Sequence, residues 1–354
     1  MSDATTVAGR EMHLVSYPNG TVRPSNFEMV SRTLGPLRPG EVLVRNTWMS
    51  IDPGLRLRLR PQSPDGYFGS IPLGTAVSGV MTVGEVIASR ADGFAPGDIV
   101  SHGSGWRDLA VVDAERVEIG GIGTLRRLDT SLAPPRAYLG VLGGTGLTAY
   151  AGVLRVAGLR PGDVVWVSAA AGAVGSLAAQ LAKLRGHRVI GSAGSDEKVS
   201  YLLDVLGLDA AFNYKSGRFE DQLRRAAPDG IDVYFDNVGG EHLEAAIGVL
   251  RRGGRIAMCG TIGDYDRPAP SPGPDNLFLI VAKELTVRGL RGNSHVDLMP
   301  ELWREVGTWL REGRLDCRET IIEGIENSPL ALARLLRGET TGKTLVRIAP
   351  EAGQ

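Results

Sequence analysis

The sequence predicts an α/β protein of two domains, one a doubly wound parallel sheet with helices and the other rich in β-strands. Three observations support this prediction. Up to residue 135 the chain reads as short strands separated by Gly and Pro turns. From about residue 145, apolar strands alternate with amphipathic helices. The length of 354 residues exceeds what one ordinary hydrophobic core accommodates, so two domains are expected.

The first part of the chain predicts strands with little helical periodicity. Residues 41–51, 77–87 and 98–112 read as strands, and the turns RPGE at 38–41 and APGD at 95–98 bound them. This pattern is typical of an all-β domain.

The remainder of the chain predicts βαβ units. Residues 163–168 (DVVWVS) form an almost continuously apolar strand, as expected where both faces of a sheet are covered. Residues 174–185 follow as an amphipathic helix with one apolar face. The Pro-rich segment at 264–276 is predicted to be a loop beside the site. Further strands are predicted at 188–194, 210–214, 232–237, 255–260, 285–290, 319–325 and 343–348, and further helices at 198–207, 242–250, about 300–312 and 330–337.

Composition and charge argue against several classes of protein. A net charge of −1 gives no electrostatic reason to expect nucleic acid or an anionic membrane as a partner. No apolar run reaches the roughly 18–20 residues that a membrane span needs. The start lacks the basic and apolar regions of a secretory signal. A cytoplasmic protein that acts on a small-molecule substrate is therefore expected.

The use of cysteine and histidine predicts a protein without disulfides or metal. Only Cys259 and Cys317 occur, which are too few for a disulfide framework. A zinc site needs about three or four converging ligands. The histidines are scattered and form no CxxC or HExxH pattern: His13, His102, His187, His242 and His295. No metal is therefore expected.

The segment AAAGAVG at residues 169–175 lies directly between a predicted strand and a predicted helix. Small residues in such a turn let backbone amides approach a pyrophosphate at the helix N-terminus. The spacing is AxxGxxG, with Gly172 and Gly175 in the last two places. The context of strand before and helix after favours a dinucleotide-binding turn over one that serves close packing alone.

The end of the second strand distinguishes NAD from NADP. An NAD site usually carries Asp or Glu there to hold the ribose hydroxyls. Residues 191–195 (GSAGS) contain no carboxylate, and Asp196 and Glu197 already belong to the next helix. Lys198 follows, and a 2′-phosphate needs hydroxyl donors and positive charge. The pattern favours NADP, with an ordinary solvated helix lysine as the alternative interpretation of Lys198.

Ordered segments along the whole chain carry a specific family resemblance. They are NTWMSIDPGLR (46–56), the Gly-rich stretch near 79–86, GW (105–106), GLTAYAGVL (146–154), RPGDVVWVSAAAGAVGS (160–176), GSDEK (194–198), FNYK (212–215), FDNVGG (235–240), GRIAMCGTI (254–262), IIEGIENSP (321–329) and TGKTLV (341–346). On these segments the chain resembles the zinc-independent prostaglandin reductase and alkenal reductase branch of the medium-chain dehydrogenase/reductase superfamily. The early SYPNG and NFE resemble bacterial members grouped with curcumin reductase.

The resemblance implies a fold, a reaction and a state of assembly. Residues 1–138 and 318–354 would form a GroES-like substrate domain, and residues 139–317 a Rossmann domain that binds NADPH. The implied reaction is reduction of the carbon–carbon double bond of α,β-unsaturated ketones or aldehydes. Quinone reduction by NADPH is the alternative within enzymes, and a catalytically silent NADPH-binding module is the alternative from another class. The resemblance also implies a homodimer paired through an edge of the Rossmann domain.

The resemblance further assigns cofactor contacts, motif by motif. Those implied for the pyrophosphate are Gly172, Ala173, Val174 and Gly175. Those implied for the 2′-phosphate region are Ser195, Lys198 and Tyr214. Those implied along the path to the nicotinamide are Asn237, Cys259, Gly260 and Tyr265, followed by Leu290, Arg291 and Gly292 close to the ring. Tyr214 as strand packing, Asn237 as a turn residue and Cys259 as a small core residue are the alternatives.

Three departures from the family pattern fall where the substrate should be selected. The family's DPYMR reads DPGLR here, with Gly54 in the aromatic place. Ala282 stands where eukaryotic members have tyrosine, and the apolar strand end reads GLRG, which adds the charge of Arg291. The substrate and the catalytic groups therefore stay undetermined. A ribose hydroxyl of the cofactor is the favoured donor to the substrate carbonyl, with Tyr67, Tyr265 and Asn293 as candidate protein donors.

Overall fold

The computed structural model describes residues 7–116, 123–267, 269 and 271–350. The chain divides into two compact units. The first, called the N-terminal unit below, comprises Met1–Gly143, Glu319–Glu339 and Lys343–Gln354. The second, the central unit, comprises Gly144–Arg318 and Thr340–Gly342. The domain limits expected at 138/139 and 317/318 stay a prediction.

The elements are as follows in chain order. The strands are β1 (Val7–Leu14), β2 (Phe27–Leu34), β3 (Glu41–Ile51), β4 (Thr75–Ala76), β5 (Thr82–Ser89), β6 (Ile99–His102), β7 (Leu109–Asp113), β8 (Arg126–Arg127), β9 (Val164–Val167), β10 (Arg188–Ala193), β11 (Ala210–Asn213), β12 (Ile231–Asp236), β13 (Leu250–Met258), β14 (Thr286–Gly289), β15 (Glu319–Glu323) and β16 (Lys343–Arg347). The helices are α1 (Leu55–Arg58), α2 (Gly144–Ala151), α3 (Ala173–Leu184), α4 (Asp196–Ser200), α5 (Phe219–Ala226), α6 (Gly240–Val249), α7 (Phe278–Ala282), α8 (Met299–Arg311) and α9 (Ser328–Leu336).

The N-terminal unit is built on two sheets, which confirms the predicted β-rich domain. One sheet has the order β2-β1-β4, and the other has the order β15-β16-β3-β5-β6-β8, with β7 paired to β3. Strand β3 is central because it pairs with β5, β7 and β16, all antiparallel. The core includes the fully buried Trp106, whose ring lies 5.1 Å from that of Phe27.

The strand predicted at 98–112 is wrong as one element, since it divides into β6 and β7. The intervening segment turns, and Trp106 adopts a φ of 56°. Buried polar groups hold the turn: the Ser104 N–H donates to His102 Nδ1 at 3.1 Å. The Asn46 side chain donates to the carbonyl oxygens of Ser104 and Arg107 at 3.2 and 2.8 Å. Such long-range contacts are invisible in the local pattern of apolar residues.

His102 is fully buried at the centre of this network. Because its Nδ1 accepts the Ser104 N–H, its proton lies on Nε2 and is donated to Asn46 Oδ1 at 2.9 Å. Burial, assisted by the charge of Arg107, lowers the pKa of His102 to about 3. The imidazole is therefore neutral in the folded protein at every pH near neutrality.

We expect acid to destabilise the protein through His102. The pKa of His102 is about 3 when folded and near the ordinary 6.5 when unfolded, so below about pH 6.5 only the unfolded chain gains this proton. Between about pH 7.5 and about pH 5.5 this single group should remove roughly 1.4 kcal/mol from the free energy of unfolding. Urea unfolding of the wild type and of His102→Gln at both pH values measures this. An equally steep loss in both proteins would contradict the assignment.

The central unit is a parallel sheet of six strands in the order β11-β10-β9-β12-β13-β14, which confirms the predicted doubly wound fold. The strand order reverses between β9 and β12, and ligands of such sheets bind outside the carboxyl ends of the strands at that point. Trp166 of β9 is fully buried and stacks on Tyr234 of β12, with 4.2 Å between ring centroids.

Candidate functional site

The predicted cofactor residues follow the carboxyl ends of all six strands of the central sheet. Residues 169–175 follow β9, and Ser195 and Lys198 follow β10. Tyr214 follows β11, and Asn237 follows β12. Cys259, Gly260 and Tyr265 come after β13, and residues 290–292 come after β14. Because the carboxyl ends of parallel strands share one edge of a sheet, the structure brings these residues to one edge of the central unit.

The turn after β9 is so tight that glycine is sterically required at residue 175. Ala169 has a φ of 47°, and the Gly172 N–H donates to its carbonyl oxygen at 2.9 Å. A Cβ at Gly175 would lie 2.4 Å from that same oxygen. A Cβ at Gly172 would lie 3.2 Å from it. The backbone of the helix start therefore approaches the turn as closely as only glycine allows.

The N-terminus of α3 offers backbone N–H groups and a positive dipole end. Gly172 caps the 12-residue helix without any side chain, and its first turn contains no acidic residue. Ala173, Val174 and Gly175 supply the first turn, so no carboxylate there competes with an anion. This arrangement fits the pyrophosphate of a dinucleotide.

The end of β10 presents Ser195 and Lys198. Ser195 caps α4, with its Oγ accepting the Lys198 N–H at 3.3 Å. Burial, followed by the charge of Lys215, lowers the pKa of Lys198. A half-buried ammonium of this kind would be stabilised by a bound anion.

Tyr214 has the packing role considered for it from the sequence, and its role at the 2′-phosphate stays a prediction. Its ring packs edge-on against His242 at 4.9 Å between centroids, which is the packing role. Its hydroxyl reaches back toward Gly194, since a Cβ at that glycine would lie 3.1 Å from Oη. His242 thus packs against the ring, while the hydroxyl lies near the end of β10.

Asp236 organises the neighbouring loops, and sequence reasoning missed it. Its side chain is fully buried. Its Oδ1 accepts the Tyr234 hydroxyl at 2.7 Å and the N–H groups of Val238 and Gly239 at 2.9 Å each. Its Oδ2 has no hydrogen-bond partner. Burial raises the pKa of this carboxyl despite the three donors. The FDNVGG motif was the only sequence signal for it.

Backbone bonds around Asp236 connect the ends of three strands. The Cys259 and Gly260 N–H groups donate to its carbonyl oxygen at 2.8 and 3.1 Å. Asn237 donates its N–H to Ser168 Oγ at 2.9 Å and its Nδ2 to the Ser168 carbonyl at 2.7 Å. The ends of β9, β12 and β13 are therefore held together, and both Asn237 hydrogen bonds stabilise a turn.

The Cys259 thiol is not a candidate nucleophile. Burial, with a further contribution from Asp236, raises its pKa to about 12. The thiol therefore stays protonated at neutral pH. Next to it, a Cβ at Gly260 would lie 3.1 Å from the Tyr265 hydroxyl, so that hydroxyl lies close to the Gly260 backbone.

In the segment after β14, the side chain of Leu290 packs into the protein. The Leu290 N–H donates to the Met258 carbonyl at 2.8 Å, and its largely buried side chain lies against Gly152. A Cβ at Gly292 would lie 2.2 Å from Thr148 Oγ1, so glycine is required there. Thr148 of α2 is thus a neighbour of the proposed nicotinamide region that sequence reasoning missed. Arg291 is half-buried in this segment.

The three candidate hydrogen-bond donors to the substrate carbonyl belong to different parts of the chain. Tyr265 and Asn293 lie in the central unit, in the loop after β13 and in a 3₁₀ turn after Gly292. Tyr67 lies in the N-terminal unit, where its ring packs edge-on against Phe68 at 5.0 Å. Ala282, the other site of departure, ends α7 and is exposed.

The glycine in DPGLR makes room for Tyr67. A Cβ at Gly54 would lie 2.3 Å from the Tyr67 hydroxyl oxygen, although the φ of −60° suits any residue. We expect Gly54→Ala to displace that hydroxyl and to destabilise the protein by roughly 1–2 kcal/mol through overpacking. The same change should cost little in a Tyr67→Phe background, because the clashing oxygen is gone.

A double-mutant cycle of unfolding free energies measures this coupling. Gly69→Ala is the matched control, because nothing lies within 4 Å of its Cβ position. Equal effects of Gly54→Ala in the wild type and in Tyr67→Phe would show that the hydroxyl does not occupy this space.

Two searches of the described residues concern metals and membranes. Across 7–116, 123–267, 269 and 271–350, His, Cys, Asp and Glu form no group of three or more placed to hold a metal ion. Within the same ranges, every helix is too short or too polar to cross a bilayer.

Comparison with known proteins agrees with the architecture. A family model described as the N-terminal domain of oxidoreductase matches residues 10–119, and one described as zinc-binding dehydrogenase matches residues 173–311. Prostaglandin reductase 1 of Mus musculus is 38% identical, covering 96% of this chain and 99% of its own. A 2-alkenal reductase (NADP(+)-dependent) of Nicotiana tabacum is 35% identical, covering 98% of this chain and 100% of its own.

A solved structure extends the similarity to three dimensions. The crystal structure of CurA in complex with NADPH from Vibrio vulnificus has a TM-score of 0.88 and 33% sequence identity, and it covers 97% of this chain and 100% of its own. Similarity at this level over whole chains is shared ancestry rather than a common fold alone. The chain belongs to the zinc-independent medium-chain dehydrogenases/reductases, in the branch of the prostaglandin, alkenal and curcumin reductases.

Proposed function

We propose that this protein is an NADP-dependent oxidoreductase that reduces the carbon–carbon double bond of α,β-unsaturated ketones or aldehydes. The observation that carries the proposal is the dinucleotide edge of the central sheet, in a chain 38% identical to a prostaglandin reductase along its whole length. The relatives named for NADP(H) and for alkenals support both the cofactor and the reaction class.

The residues at this edge fit NADP(H). The N–H groups at the start of α3 would hold the pyrophosphate, where Gly172 and Gly175 keep the turn compact. Ser195, Lys198 and Tyr214 would hold the 2′-phosphate region, where hydroxyls and an ammonium replace the acid of an NAD site. The nicotinamide, when bound, supplies the hydride.

The protein's own part in the reaction is positioning and charge stabilisation. Negative charge gathers on the substrate carbonyl oxygen during reduction, and a hydrogen-bond donor near it lowers the barrier. A ribose hydroxyl of the cofactor would be the favoured donor, and Tyr265, Asn293 and Tyr67 are the candidate donors that the protein itself offers. The protonated Cys259 thiol gives no support to a covalent mechanism.

Loss of NADPH absorbance with a panel of enones, enals, quinones and saturated ketones tests the proposed reaction. We expect turnover of enones or enals, with saturated products recovered, and no turnover of the ketones. Turnover of quinones alone would favour quinone reduction instead. Binding of NADPH without turnover of any compound would favour the catalytically silent module.

We also propose a homodimer that forms through the β14 edge of the central sheet. Strand β14 is exposed along its length, and an exposed edge strand can pair with another chain. Large apolar side chains beside it are exposed: Leu277, Phe278, Val281 and Val287. Sedimentation of the wild type should give a dimer and that of Phe278→Asp a monomer, whereas a wild-type monomer would refute the proposal.

We further propose a cytoplasmic location. The chain has only two cysteines, too few for a disulfide framework, as is usual in a reducing compartment. Fractionation of cells producing the full-length protein tests the location, and recovery outside the cytoplasm would contradict it.

A further inference from the structure

A second lysine lies at the edge of the proposed 2′-phosphate region. Lysine is rare in this chain, with five residues among 39 basic ones, and two of the five are Lys198 and Lys215. Lys198 lies in α4, which follows β10, and Lys215 lies in the turn that follows β11. The effect of Lys215 on the pKa of Lys198 reflects how close their charges lie.

The side chain of Lys215 folds back toward Gly194. A Cβ at Gly194 would lie 3.3 Å from Lys215 Cε and 3.1 Å from the Tyr214 hydroxyl. Lys215 Nζ lies 5.7 Å from the centroid of the Tyr214 ring. The aliphatic stem of Lys215 and the Tyr214 hydroxyl therefore share the space that a side chain at residue 194 would fill.

The charge of Glu197 acts on Lys198 and partly offsets it. Within the part of the chain that the structure describes, no carboxylate lies within ion-pair distance of the Lys215 ammonium. The nearby Asp196 accepts a hydrogen bond from Asn213 Nδ2 at 2.7 Å, and Asn213 Oδ1 in turn accepts the Lys215 N–H at 3.0 Å. Two neighbouring ammonium groups repel each other, and a doubly charged anion would remove that repulsion.

We propose that Lys215 is a second cation for the 2′-phosphate of NADP(H) and determines cofactor specificity together with Lys198 and Tyr214. This inference rests on the proposed function, in which NADP(H) occupies this edge of the sheet. Lys215 would supply positive charge from the turn after β11, whereas Lys198 would supply it from α4 after β10. The site would then select the phosphate by the sum of two positive charges rather than by Lys198 alone.

Binding of 2′,5′-ADP and 5′-AMP to the full-length protein, measured by calorimetry, tests this without any turnover. The variants are Lys215→Met and Lys198→Met, which keep an apolar stem and remove the charge. Lys183→Met is the matched control, because Lys183 lies on α3 and already pairs with Asp209 at 2.9 Å. Lys215→Met should weaken 2′,5′-ADP about tenfold, as expected for one charged hydrogen bond, and leave 5′-AMP unchanged. Lys215→Arg should retain most of the affinity.

The outcomes separate this inference from the proposed function. If Lys198→Met weakens 2′,5′-ADP selectively and Lys215→Met does not, the role of Lys215 is overturned while the NADP assignment stands. Equal weakening of both nucleotides by Lys215→Met would likewise overturn its role in specificity. If neither variant distinguishes the two nucleotides, the 2′-phosphate assignment itself fails.

Discussion

Gly175→Ala is expected to weaken NADPH binding by about tenfold to a hundredfold, the effect of overpacking against backbone that cannot move aside. The new Cβ would lie 2.4 Å from the Ala169 carbonyl oxygen and 3.0 Å from Ala170 Cα. These atoms belong to the turn that begins α3, so relief of the clash must open the turn. The N–H groups proposed for the pyrophosphate would then separate. Quenching of protein fluorescence by NADPH measures the Kd.

A control glycine in the same unit makes this result interpretable. Gly248→Ala in α6 should leave the Kd unchanged, because the nearest atom to its Cβ position, Asn276 Nδ2, lies at an ordinary 3.8 Å. Thermal unfolding of both variants shows whether the fold is retained. A higher Kd in a folded variant then reflects the turn alone. Wild-type affinity in a folded Gly175→Ala variant would show that the pyrophosphate lies elsewhere.

Replacement of Asp236 by Ala should produce the second large effect. The N–H groups of Val238 and Gly239 and the Tyr234 hydroxyl would lose their acceptor inside the protein. We expect a loss of about 3 kcal/mol or more in the free energy of unfolding, because each buried unsatisfied group costs roughly 1–3 kcal/mol. NADPH binding should also weaken, since the loop after β12, which contains Asn237, depends on this side chain.

Asp236→Asn is the conservative counterpart. Its amide oxygen can replace Oδ1 and keep all three donors paired, and the buried carboxyl, whose pKa burial raises, becomes a neutral group. Its Nδ2 would take the place of Oδ2, which has no hydrogen-bond partner, so we expect stability and NADPH affinity between those of the wild type and of the Ala variant. Urea unfolding and NADPH titration measure both. An Ala variant as stable as the wild type, or an Asn variant as weak as the Ala variant, would refute the role as hydrogen-bond acceptor.

Much of the candidate site could be predicted because its signals are local. Small residues between a predicted strand and a predicted helix predict the turn at residues 169–175. The choice of NADP depends on which residues follow one strand, around Lys198. By contrast, the inward packing of the Leu290 side chain against Gly152 could not be predicted, while the proximity of residues 290–292 to the nicotinamide stays a prediction. The direction of a side chain at a strand end depends on neighbours from other segments, which the local pattern does not contain.

The sequence by itself determined the β-rich and α/β halves and the small-residue turn between β9 and α3. Hydrophobic periodicity and glycine spacing act over a few residues, so they are visible without the fold. Only the tertiary structure decided that the Tyr67 hydroxyl fills the space beside Gly54. It also decided that the Asp236 carbonyl and Asn237 join the ends of three strands. It also brought Lys215 to Gly194. These contacts join residues from separate segments, and their distances depend on how strands and loops pack together.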